Sequence, residues 1–176
     1  MKPLTLPIEG FRGLVEADLR RAARLIIKVQ DEIDLQLRIA TPDGDFWIAA
    51  TLPADEYGRQ TMLRRLATFM AWKQALAFTF AAELTEPDAV YCAGISHHER
   101  HACLSRIVRG AKPWTDAIFG PVEWLPAASI DPVIADLLPV GPRAMTPKEV
   151  SAMAKWFGKE GAFPAVHIPT GEVRGI

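Results

Sequence analysis

The chain has 176 residues, of which 49% are hydrophobic and 23% charged, a size and mixture that suit one hydrophobic core and exclude disorder by composition. Its 20 Lys and Arg against 21 Asp and Glu leave a formal charge of -1, so no global field draws it to phosphate backbones or anionic lipid, and nucleic acid is a poor first partner. Met1 to Glu9 lacks the continuous apolar run of a secretory signal, and the most hydrophobic stretch, Ala67 to Leu84, is broken by Lys73 and Gln74, which together suggest a cytoplasmic single domain over residues 1–176 with no membrane anchor.

Pro3, Pro7, Gly10 and Gly13 space breakers too closely for a helix, and residues 1–13 are expected to form an extended arm. From Leu14 to about Asp31, apolar residues recur at three and four with Arg20, Arg21, Arg24 and Lys28 between them, the pattern of an amphipathic helix. That basic cluster is a solvated helix face before it is an anion site. Leu35, Leu37 and Ile39 then alternate with polar or small residues, and Pro42-Asp43-Gly44-Asp45 supplies turn chemistry before Phe46, Trp47, Ile48 and Ala50, which predicts a β-hairpin.

Past Pro53, Asp55 is placed to cap a helix whose run to about Leu84 contains no proline and one early glycine, Gly58. Unbroken, it would be about 40 Å long. Its second half (Ala71, Trp72, Ala75, Leu76, Ala77, Phe78, Phe80, Ala81) leaves little polar face, so it must be covered on several sides, by its own neighbours or by a second copy in a homodimer. Lys73 sits in this stretch, where a lysine ordinarily extends its head to water or finds a carboxylate.

Glu86-Pro87-Asp88 breaks the chain before a strand from Ala89 to Ile95, and a second strand is expected from about Ala102 to Arg109. Pro113, Gly120, Pro121 and Pro126 then punctuate an irregular segment carrying Trp114, Phe119, Val122, Trp124 and Leu125, expected to be pinned across the core by its aromatics. Asp131-Pro132 opens a short helix to Leu138. Thr146-Pro147-Lys148-Glu149 is a capping box opening a helix that stops at Gly158, and residues 159–176 look like an irregular tail. Paired strands interspersed with helices make an α+β fold, antiparallel hairpins against a long central helix and additional helices.

Chemistry-bearing residues concentrate in Ser96-His97-His98-Glu99-Arg100-His101, which holds three of the 4 histidines. His97, His98, Glu99 and His101 are all ligand types for a divalent metal, with Cys92 or Cys103 as a further ligand, and would make a metal-dependent hydrolase. Helical His-Glu-x-x-His and paired Cys-x-x-Cys spacings are missing, which favours a plain solvated turn. Cys92 and Cys103 face each other if the turn is the two residues His97-His98, whereas a four-residue loop moves Cys92 onto Ser105. They are read mainly as small buried apolar groups, with thiol chemistry at Cys103 beside His101 as an alternative. No phosphate loop, nucleophile elbow or dinucleotide fingerprint occurs. The leading functional expectation is a non-enzymatic binding domain, self-associating as a homodimer, whose ligand or partner surface is lined by Trp114 and Trp124 between the sheet, the long helix and the irregular segment.

Overall fold

The structure is a computed structural model that describes residues 10–31, 33–113, 115–138, 146–160 and 165–169. Helix α1 (Gly10–Val29) leads into the hairpin β1 (Leu35–Thr41) and β2 (Gly44–Ala50), followed by helix α2 (Glu56–Trp72). Strands β3 (Ala77–Leu84), β4 (Ala89–Ser96) and β5 (Arg100–Val108) form a meander, and short strands β6 (Ile118–Phe119) and β7 (Glu123–Leu125) both return to β5. Helices α3 (Pro132–Ala135) and α4 (Pro147–Glu160) precede a last strand, β8 (Ala165–Pro169). All pairings are antiparallel, in an 8-stranded sheet ordered β6-β5-β4-β3-β1-β2-β8, with β7 as the eighth strand, paired to β5 off this path. The α+β class expected from the pattern is the class observed.

The sheet is covered on both sides because its strands are apolar on both faces. One face presents small residues, Ala40, Ala77, Ala81, Cys92 and Cys103, beneath the apolar stripe of α1, Leu14, Val15, Leu19, Ala22 and Ile26. Small side chains let a helix backbone come close. Gly94 marks the nearest approach: a Cβ there would lie 2.3 Å from Val15 Cγ2 and 3.0 Å from Phe11 Cζ. The opposite face presents bulk, with Leu37, Ile39, Phe46, Ile48, Phe78 and Ile95 packed under Met62, Leu66, Phe69 and Met70 of α2 and under Ile130, Leu137 and Leu138.

Four expectations change. Residues 10–13 are the first turn of α1 rather than part of an arm, because Phe11, 5% exposed, is drawn onto the sheet beside Gly94. The rest of that arm, residues 1–9, lies outside the described residues.

The long helix to Leu84 is two elements. Helix α2 stops at Trp72, and Gln74 takes the left-handed conformation (φ 54). Ala75 N donates to Met70 O at 2.9 Å and Gln74 N to Ala71 O at 3.2 Å, the two bonds of a Schellman stop. Beyond it Ala77, Thr79 and Ala81 face α1 while Phe78 and Phe80 face the other way, alternation at period two with β-favouring Phe and Thr. The surplus apolar surface that suggested a homodimer is therefore consumed inside the sheet.

The irregular segment contributes β6 and β7, so it is an edge of the sheet, interrupted at residues 120–122. Finally, α4 passes through Gly158 to Glu160, and the expected tail supplies β8, where Val166, His167 and Ile168 pair with Trp47, Phe46 and Asp45. The capping box is as expected: Glu149 N donates to Thr146 Oγ1 at 3.3 Å and Thr146 N to Glu149 Oε2 at 2.8 Å. No helix among the described residues is long and apolar enough to cross a membrane.

Candidate functional site

The histidine turn is tight. Ser96 N donates to Glu99 O at 2.8 Å, which leaves His97 and His98 as a two-residue connection. Ser96 Oγ accepts from Glu99 N at 2.9 Å and from His98 N at 3.2 Å, so the serine side chain supports the turn. His97, His98 and Glu99 are exposed at the tip, while His101 is half-buried with its Nε2 2.8 Å from Glu99 Oε2. Of the four residues considered as metal ligands, the structure brings Glu99 and His101 together. Among the described residues, no group of three or more His, Cys, Asp or Glu side chains is gathered for an ion.

The two-residue turn also sets the cysteine register: Cys92 stands directly opposite Cys103. Both are free thiols and fully buried. Burial pushes Cys103 up to about 12, with Glu16 adding to the shift and Arg12 opposing it, and burial raises Cys92 well above the ordinary thiol range. Both thiols therefore keep their protons at neutral pH, the opposite of what a nucleophilic cysteine requires. Tyr91, on the other face, is likewise raised to about 12 by burial.

The basic helix face divides by position. Arg21 lies over the Trp47 ring at 3.6 Å, next to Arg38, which holds Asp45 through its Nε at 2.6 Å. Asp18, 7% exposed, accepts from Thr79 Oγ1 at 2.6 Å and faces Arg38 at 3.5 Å. Burial raises the Asp18 carboxyl above its ordinary value, against the lowering effect of Arg38 and Thr79. This cluster ties α1 to β1 and β3, and its charges are mutually compensated. Lys73 Nζ sits 3.7 Å from the Trp72 ring centre, and so is spent on an aromatic face.

Arg12, Arg20 and Arg24 lie on the other flank of α1, toward β6 and β7. There the helix and the residue 119–124 segment wall an open groove of about 240 Å³, lined by Leu19, Arg20, Ala23, Arg24, Ile27, Ser105, Phe119, Gly120 and Val122. Its floor is closed by buried Leu19 and Ala23, and Ser105 Oγ holds the bulge by donating to Gly120 O at 2.8 Å. Trp124 continues the same wall toward the start of α1, where the Arg12 guanidinium covers its ring at 4.1 Å and His101 meets it edge-on at 6.2 Å.

Trp124 thus packs beside a helix, but that helix is α1 and not the one expected, and Trp124 is not among the residues lining the groove. Trp114 lies outside the described residues. The meeting of Ala23 and Ile27 with Phe119 and Val122 is not legible in the sequence, because nothing local joins a helix flank to a segment some ninety residues later. A second cleft, about 440 Å³, lies between the end of β2 and the start of α2 and is lined by Ala49, Ala50, Thr51, Pro53, Tyr57, Gly58, Thr61, Met62 and Arg65. Its one aromatic, Tyr57, is 80% exposed.

In comparisons with known proteins, no family model, no curated protein and no solved structure matches the chain.

Proposed function

We propose that the chain is a non-enzymatic binding domain whose working surface is the groove between α1 and the residue 119–124 segment. The observation that supports this reading is the meeting, in one concavity, of an apolar floor, an aromatic wall at Phe119, and the arginines Arg20 and Arg24. Binding sites combine these features, apolar area for affinity and a few polar groups for orientation. The buried, protonated cysteines and the compensated Asp18 cluster are what a scaffold needs, and neither supplies an activated nucleophile or base.

Amide and methyl NMR spectra of the full chain titrated with octanoate and with N-acetyl-leucinamide test the reading. The expected result is a set of shift changes centred on Ala23, Ile27, Phe119 and Val122. Changes centred on the Tyr57 cleft, or scattered over the surface, would overturn it.

The metal-dependent reading draws on one contact, His101 with Glu99. Metal content of protein purified without chelator tests it: about one ion per chain, lost in a His97→Ala, His101→Ala double variant, would move it ahead of the groove. Light scattering on the same sample gives the mass directly and tests self-association.

A further inference from the structure

Resting on the groove reading above, we infer that the groove's occupant is a segment of a partner protein in which aliphatic side chains are interleaved with Asp or Glu. Three observations carry this. The first is charge. Along the groove flank of α1, Arg20 is taken by Glu16 at 2.6 Å, whereas the exposed Arg24, which lines the groove, has no carboxylate partner among the described residues. A ligand in the groove therefore meets net positive charge at Arg24, which favours acids and disfavours basic or neutral polar groups.

The second is shape. The groove runs beside α1 from Leu19 to Ile27, about 12 Å along the helix axis, and is open to solvent along its length. An enclosed pocket suits a small molecule, while an open trough suits a segment of chain, roughly three or four residues if extended. The third is the outer wall. Gly120 N is already bonded to Arg106 O at 2.9 Å, and Pro121 offers no N–H, so the edge between β6 and β7 gives a partner no backbone ladder at its middle. Recognition falls to side chains, aliphatic ones by Ala23 and Ile27 and a carboxylate on Arg24.

The test is selection of a displayed random peptide library, roughly a dozen residues long to cover the trough with margin, on the immobilised full chain. Selected peptides are then titrated in solution. The expected result is enrichment of Asp and Glu with Leu, Ile and Val. Affinity should fall about tenfold or more with Arg24→Glu and with Ile27→Asp, and should also weaken in raised salt. Both substitutions are at exposed positions, and unchanged thermal midpoints confirm that the fold is kept. Peptides lost with Ile27→Asp but indifferent to Arg24→Glu and carrying no acidic bias overturn this inference and leave the groove reading standing. Peptides indifferent to both substitutions, or no enrichment at all, overturn the two together. A dimeric mass that becomes monomeric with Ile27→Asp identifies a second copy of the chain as the occupant and overturns the inference as well.

Discussion

The two faces of the sheet hold their helices in different ways. Under α2 the contact is bulk against bulk, Phe46 edge-on to Phe69 at 5.3 Å with Phe78 and Met70 fully buried beside them. Under α1 it is closeness: alanines, cysteines and Gly94 let the helix down onto the strands, and one buried carboxylate, Asp18, fixes where it sits by reaching Thr79 and Arg38. Apolar burial is strong and undirected, and a short hydrogen bond to a charge is weaker and specific. The face that carries the candidate groove is the one positioned by the specific contact, which suits a surface whose rim residues must stay in register with the wall opposite.

That contrast predicts where the fold breaks most easily. Phe78→Ala removes a fully buried ring from the bulky face and should cost about 3–5 kcal/mol, read from chemical denaturation. A cost below about 1 kcal/mol would mean that the face is looser than its packing implies. Gly94→Ala attacks the other face by addition. The new methyl lands on Val15, a β-branched side chain held by the helix around it, so α1 must lift, at about 1–3 kcal/mol. Because α1 is one wall of the groove, the same change should shift the NMR signals of Val122 and Trp124, whereas Phe78→Ala should leave them in place.

Asp18 sharpens the comparison through pH. Its folded value lies above the ordinary 3.8 because burial disfavours the charged form. Between those two values the folded state holds the extra proton, so this group's contribution to stability is fully present below 3.8 and is lost as pH rises through the raised folded value. Asp18→Asn keeps an acceptor for Thr79 and removes the titration. Its stability curve should lack the acid-side gain of the parent chain, with a neutral-pH difference of about 1 kcal/mol or less, since the lost attraction to Arg38 and the relieved desolvation oppose each other. Parallel curves for the two proteins would show that Asp18 is not titrating in the fold.

How much of this was legible in the sequence follows from the same physics. The hairpin at Pro42 to Asp45, the cap at Asp55, the Asp131-Pro132 start and the Thr146 to Glu149 box are signalled by residues whose local chemistry determines them, and all stand as read. The β4–β5 pair was legible too, though the choice between its two registers rested on one turn bond, Ser96 to Glu99. Helix α2 and strand β3 merged because alanine and phenylalanine fit either period, and because the stop between them lacks the usual glycine. Strand β8 was missed because its partner, β2, lies more than a hundred residues earlier. The groove was half legible: the arginine flank and Phe119 were each noticed, but which helix faces which wall is a tertiary fact.

The smallest effect concerns the joint that passes the chain from the bulky face into the middle of the sheet. Gln74 stands at the left-handed position of the α2 stop, as Gln30 does after α1, with φ values of 54 and 55. A side chain there crowds the following carbonyl, a strain of about 1–2 kcal/mol that glycine avoids. Glycine gives back about 0.5–1 kcal/mol by loosening the unfolded chain. Gln74→Gly should therefore stabilise the fold by roughly 0.5–1 kcal/mol, a rise of about 1–4 °C in thermal midpoint for a chain of this size. Gln74→Val, whose branched side chain tolerates this conformation least, should lower it. A gain with glycine and a loss with valine would show that the helix ends here through backbone conformation alone. Equal midpoints for both would mean that burial of Phe78 and its neighbours ends the helix whatever residue stands at the joint.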